Sequence, residues 1–140
     1  MYFAAGPVGG SGSLKSDLWV VTEAPDKDEA KAGLPMVGAA GKVGMFALKA
    51  AGVDRKKVHV TNVVRCHPTG GRGIPRPPTG EEVAYCMERF LWPELEMYNP
   101  NAVVAMGELA MQALMGNNED RKISEWRGAV REIEPPGKKK

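Results

Sequence analysis

The chain has 140 residues, 43% hydrophobic and 26% charged, which is enough for one domain with a packed core and too few for two ordinary ones. That balance excludes a disordered chain, and no apolar run approaches a membrane span. The formal charge of +2 rests on Lys138, Lys139 and Lys140; without them acidic residues outnumber basic ones by one, so any contact with DNA needs a local patch.

Met1 to Ser16 is rich in Gly, Ala and Ser, and it lacks the basic start and sustained apolar stretch of a secretion signal. The protein is therefore expected in the cytoplasm with no membrane partner. In that compartment Cys66 and Cys86 read as reduced thiols or metal ligands rather than a disulfide. Oligomeric state has no signature in the sequence.

In chain order, Asp17 to Thr22 is mostly apolar, as expected of a strand covered on both faces. Ala39 to Ala51 has a helical pattern closed by Gly52, and Val58 to Asn62 reads as a second covered strand. His67 to Pro78 holds four of the eleven prolines and three glycines, so it is predicted to be a loop. Gly80 to Tyr98 is a predicted helix opened by Thr79 with Glu82 in the capping-box position. Val83, Met87, Phe90, Leu91 and Leu95 should face the sheet, and Pro93 should kink the helix. A third strand at Ala102 to Met106, a helix from Glu108 to Leu114 and a short fourth strand at Ala129 to Ile133 complete the pattern. Strands alternating with helices imply a parallel sheet with helices on both sides. One domain is expected over residues 1–140, with flexible ends at 1–16 and 134–140.

In such a sheet ligands collect beyond the carboxyl ends of the strands, where Glu23, Asn62 and Gly107 all fall. An amide donates and accepts at once, which suits the edge of a nucleobase; a turn asparagine bonding its own backbone is the alternative. Glu23, at a strand end before Pro25, is either a reactive carboxylate or a solvated loop acid. Arg65, Arg72 and Arg76 form the best basic patch, since no acidic residue lies between Arg65 and Arg76.

Five segments in consistent order extend this picture. Thr22-Glu23-Ala24-Pro25-Asp26 is followed by Gly33-Leu34-Pro35-Met36-Val37-Gly38-Ala39-Ala40-Gly41, then by Thr61-Asn62-Val63-Val64-Arg65-Cys66-His67-Pro68. Pro100 to Gly107 and Arg127-Gly128 come later. From Val20 to Gly128 the chain resembles the uracil-DNA glycosylase superfamily, specifically the iron-sulfur type called family 4. The resemblance implies an α/β fold, three-layer α/β/α around a short central parallel sheet. It also implies excision of flipped-out uracil from DNA by cleavage of the N-glycosidic bond, in base excision repair. By the same resemblance Glu23 is the acid that positions or activates water at the sugar, Asn62 reads the uracil, and Ala24, Pro25, Met36 and Gly38 surround the base. Cys66 and Cys86 match two of the four ligands of a [4Fe-4S] cluster.

The chain departs from the family at three points. Met36 replaces a phenylalanine that stacks on the base, and Asp26 replaces a glycine, which puts a negative charge beside the pocket. The early cysteine pair and the late His-Pro segment have no match, so the chain resembles a glycosylase shortened at both ends. His67-Pro68 lies in the cysteine loop, and the leaving-group role of the late histidine is not transferred to it. Two outcomes stay open: a protein that excises or recognises uracil in DNA, or a catalytically idle DNA-binding or interaction module with the same fold. A nucleotide-binding protein using Gly38 to Gly41 as a phosphate cradle ranks last, because no Lys-Ser/Thr ending completes a phosphate loop.

Overall fold

The computed structural model describes residues 6–116 and 122–133. Strand β1, Leu18–Thr22, carries Trp19, Val20 and Val21, all fully buried. Apolar side chains on both faces leave such a strand only the middle of the sheet. It lies between β2, Val58–Asn62, and β3, Ala102–Ala105, in the order β2-β1-β3, and both pairings are parallel. Trp19 and Val21 pack on one side with Val83, Leu91, Leu95 and Ala110, whereas Val20 packs on the other with Met36, Leu48, Val58 and Val60.

Between β1 and β2 run helices α1, Lys27–Ala32, and α2, Ala39–Ala50. Between β2 and β3 run α3, Gly80–Cys86, a π-helical turn at Met87–Leu91, and α4, Trp92–Tyr98. Helix α5, Glu108–Leu114, follows β3, and α6, Ile123–Trp126, comes last among the described elements. The expected α/β layering is present, with α2 below the sheet and α3 to α5 above it.

The proline in the long helix is absorbed rather than tolerated. Pro93 has no N–H, and ahead of it the Trp92 N–H reaches back five residues to the Met87 carbonyl, which widens the turn. The extra residue also changes which side chains face inward. Val83, Met87, Leu91 and Leu95 are buried as expected, but Phe90 is 38% exposed and meets Tyr85 edge-on, with ring centroids 6.4 Å apart.

Two further expectations are corrected, and one helix lies where none was expected. Ala129 to Ile133 is not a strand: Val130 is exposed, and Arg131 folds back so that its guanidinium lies 4.9 Å from the Trp126 ring centre. Helix α1 was not foreseen; Asp26 starts it, accepting from the Glu29 N–H while Glu29 accepts from the Asp26 N–H. The N-terminal stretch expected to be flexible is held from Val8 onward, although residues 1–5 and 134–140 lie outside the described residues. Val8 is buried and donates to the Arg65 carbonyl at 2.7 Å, and Ser11 and Val60 exchange two backbone bonds of 2.8 Å. Gly12 (φ 93°) lets this strap lie flat, because a Cβ there would sit 2.2 Å from the Val58 oxygen. The strap covers the outer edge of β2. Among the described residues no strand pairs with the outer edge of β3, where Val104 is exposed beside a groove lined by Trp92, Met111, Leu114, Trp126 and residues 129–133.

His59 ties the strap to the sheet: Nδ1 donates to the Gly12 carbonyl at 2.9 Å, and the ring packs on Trp19 at 4.4 Å between centroids. Burial is the main cause that holds its pKa below the ordinary 6.5, helped by the Arg65 and Arg55 charges and opposed by the Gly12 bond and Glu94. A histidine kept neutral by the fold takes up fewer protons than it does unfolded. Its contribution is therefore intact above pH 6.5 and lost as pH falls through that value toward the depressed one. Urea midpoints should drop between pH 7.5 and pH 5, and His59→Gln should flatten that part of the profile.

Candidate active site

The carboxyl ends of β1 and β2 are aligned residue by residue, with Thr22 opposite Asn62. Beyond them the chains stay paired, Val63 N–H donating to the Thr22 carbonyl and Val64 N–H to that of Glu23, both at 2.9 Å. Glu23 and Asn62 thus sit at one rim of the sheet, on neighbouring strands, as the strand reading expected. They have different surroundings. The exposed Glu23 side chain extends toward the end of β3, where Oε1 accepts from the Leu109 N–H at 2.9 Å. Gly107 (φ 102°) makes room for it, since a Cβ there would fall 2.5 Å from Oε1. Asn62 is buried; its Oδ1 accepts from the Thr22 hydroxyl, and Nδ2 has no protein partner.

Glu23, Ala24, Pro25 and Asp26 line a cleft of about 540 Å³, together with the loop residues His67, Pro68 and Arg76 to Pro78 and the start of α5. His67 was not foreseen here; its Nδ1 donates to the Pro25 carbonyl at 2.9 Å and fastens the cysteine loop to the β1 turn. Its sequence signal was the His-Pro dipeptide. Asn62, Met36 and Gly38 are not among the residues that line this cleft. Met36 (φ 60°) is buried in the core under α2, its Cε so close to Gly44 that a Cβ there would be 2.6 Å away. Gly38 precedes α2 and abuts the Asp26 carboxylate, where a Cβ would stand 1.9 Å from Oδ2. Asp26 does border the cleft, but its carboxylate is engaged in capping α1 and packing on Gly38, which explains an acid at that position.

The basic patch is redistributed. Arg65 is buried, its guanidinium 2.6 Å from the Glu94 carboxylate and 5.7 Å from the centre of the Phe90 ring, so it is not a free phosphate contact. Arg76 donates two bonds to Glu82, at 2.9 and 2.6 Å, and one to the Thr69 carbonyl. The Arg76 bond is the main reason that the Glu82 carboxyl is pulled down to about 2. Arg72 stands exposed at the loop tip.

A [4Fe-4S] cluster needs four deprotonated sulfurs in the usual case. The sequence holds two cysteines. Burial, then the neighbouring Cys86 and Glu82, push the Cys66 thiol up, away from the ligating form. Among the described residues no three His, Cys, Asp or Glu side chains gather as a metal site. The residues present do not fit such a cluster by themselves.

Residues 10–137 match the family model described as the Uracil DNA glycosylase superfamily. The chain belongs to this superfamily. Among its relatives, the type-4 uracil-DNA glycosylase of Archaeoglobus fulgidus is 40% identical over 134 residues, covering 94% of this chain and 65% of that protein. The type-4 enzyme of Pyrobaculum aerophilum is 39% identical over 108 residues, covering 77% of this chain and 53% of that protein. A DNA polymerase of Bacillus phage SP01 is 31% identical over 129 residues, 91% of this chain but 13% of the polymerase. The glycosylase-family chain thus resembles type 4, as its motifs implied, and spans between half and two thirds of the two type-4 relatives' lengths. No helix among the described residues is long and apolar enough to cross a membrane.

Removing the partner of a buried charge strands it in low dielectric. Because Glu94 is itself 29% exposed, Glu94→Ala should cost about 2 kcal/mol rather than the full buried-pair penalty, read as a lower urea midpoint. Exposed Glu96→Ala should leave the midpoint within experimental spread.

Proposed function

We propose that this chain is a uracil-DNA glycosylase-type domain that binds DNA, takes a flipped-out uracil next to Asn62 and cleaves the N-glycosidic bond with Glu23 at the sugar. The observation that carries this reading is the holding of Glu23. One oxygen is fixed by a backbone N–H, while the other has no hydrogen-bond partner among the described residues and borders an open cleft.

When the bond between C1′ of the sugar and N1 of the base breaks, its electron pair leaves with the base and positive charge grows on the sugar. A carboxylate already held in place lowers that barrier without rearranging, and it can also orient the water that adds to C1′. Asn62 supports recognition of the base: its buried Nδ2 is a donor in want of an acceptor, and the O4 oxygen of uracil is one. Cytosine carries an amino group at that position, so donor would meet donor. Loss of the base from DNA is the first step of base excision repair.

An idle DNA-binding module would hold DNA through the basic patch of Arg65, Arg72 and Arg76, and two of these three are paired with acids within the fold. Arg72 and the outer face of Arg76 remain as contacts for the DNA backbone.

Purified chain should release uracil from a single-stranded uracil oligonucleotide, leaving an alkali-labile abasic site. Glu23→Gln, which keeps the shape and removes the charge, should slow release by roughly 10²- to 10³-fold. Asn62→Asp should abolish preferential binding to uracil DNA. Absence of both abasic product and uracil preference in the unaltered chain would remove the reading.

A further inference from the structure

Thr22 and Asn62 close the aligned ends of β1 and β2, each two residues beyond a valine, Val20 and Val60, that packs with Met36 and Leu48. Side chains two apart on a strand share a face, so both belong to the α2 side of the sheet. There the Thr22 hydroxyl donates to Asn62 Oδ1; the Thr61 carbonyl, 3.3 Å away, is its more distant acceptor. Threonine is branched at Cβ and stiff at χ1, which keeps that hydroxyl in place. Asn62 is 1% exposed, and its Nδ2 has no protein partner.

An asparagine amide has two settings, half a turn apart about χ2, and they present opposite hydrogen-bonding patterns. With Oδ1 turned to β1, Nδ2 is the group left to meet a base. Uracil offers O4 as its acceptor, and Oδ1 keeps a second lone pair for the uracil N3–H. Turned over, the amide would offer Oδ1 to the N4 amino group of cytosine. We propose that Thr22 is a positioning residue for base choice: its hydroxyl holds the Asn62 amide in the uracil-reading setting and so excludes cytosine. The proposal rests on the glycosylase reading and adds to it what sets the amide. Without the hydroxyl, the two settings would differ only in what the base supplies, and the flip would relieve a buried donor that faces a donor.

The test uses the full chain and single-stranded oligonucleotides with one central 2′-fluoroarabino nucleotide bearing uracil or cytosine. The fluorine resists glycosidic cleavage, so binding is read without turnover. The unaltered chain should bind the uracil strand more tightly than the cytosine strand. Thr22→Val, nearly the same shape without the hydroxyl, should cut that preference about tenfold. Part of the change should be tighter binding of the cytosine strand, which a merely damaged site would not give. Thr22→Ser should restore the preference, and Thr22→Ala is the second form of the test should Thr22→Val fail to fold. An undiminished preference in the folded variant, cytosine binding no tighter than that of the unaltered chain, or no recovery in Thr22→Ser would overturn the role of Thr22 while leaving the glycosylase reading intact. No uracil preference in the unaltered chain would overturn both.

Discussion

Everything at the cleft depends on β1 being paired in parallel on both sides while it is buried on both faces. Trp19 and Val21 anchor it to the helices above, and Val20 anchors it to α2 below. A slip of one residue would exchange those sets and turn Thr22 and Glu23 to the wrong sides. The register with β2 sets Asn62 level with Thr22, and the register with β3 sets Ala105 level with Val21. One strand thereby places three segments that are far apart in the chain.

Glu23 shows how little side-chain machinery such a site requires. Its partner is a main-chain N–H at the start of α5, and the clearance comes from a residue with no side chain, Gly107. A lysine or arginine in that place would neutralise the carboxylate; a peptide donor orients it and leaves its charge in force. Other charged groups near the cleft are occupied with structure, Asp26 in capping and Arg76 in pairing with Glu82.

Legibility in the sequence followed the strength of each local signal. The three strands and the helix from Glu108 to Leu114 were readable because apolar runs and glycine stops agree there. Glu23, Asn62 and Gly107 were placed at strand ends by topology alone. Helix α1 carried a readable capping pair, Asp26 and Glu29, but its short polar run has no apolar face to draw notice. The π-turn was hidden because it changes the period within a helix, so Phe90 rotated outward while its neighbours stayed in place. Arg65 was misjudged for a different reason. A basic residue in a proline-rich neighbourhood looks solvent-bound, and its acid, Glu94, lies 29 residues further along the chain.

The two margins of the sheet are unlike. Along β2 the segment around Ser11 takes up main-chain bonding, so that side is closed to newcomers. Along β3 no further strand pairs among the described residues, and Val104 is exposed beside a groove that residues 129–133 also line. Within the described residues the sheet therefore ends asymmetrically, in a bridged strand on the side of Asn62 and in one with a single strand neighbour on the side of Ala102–Ala105.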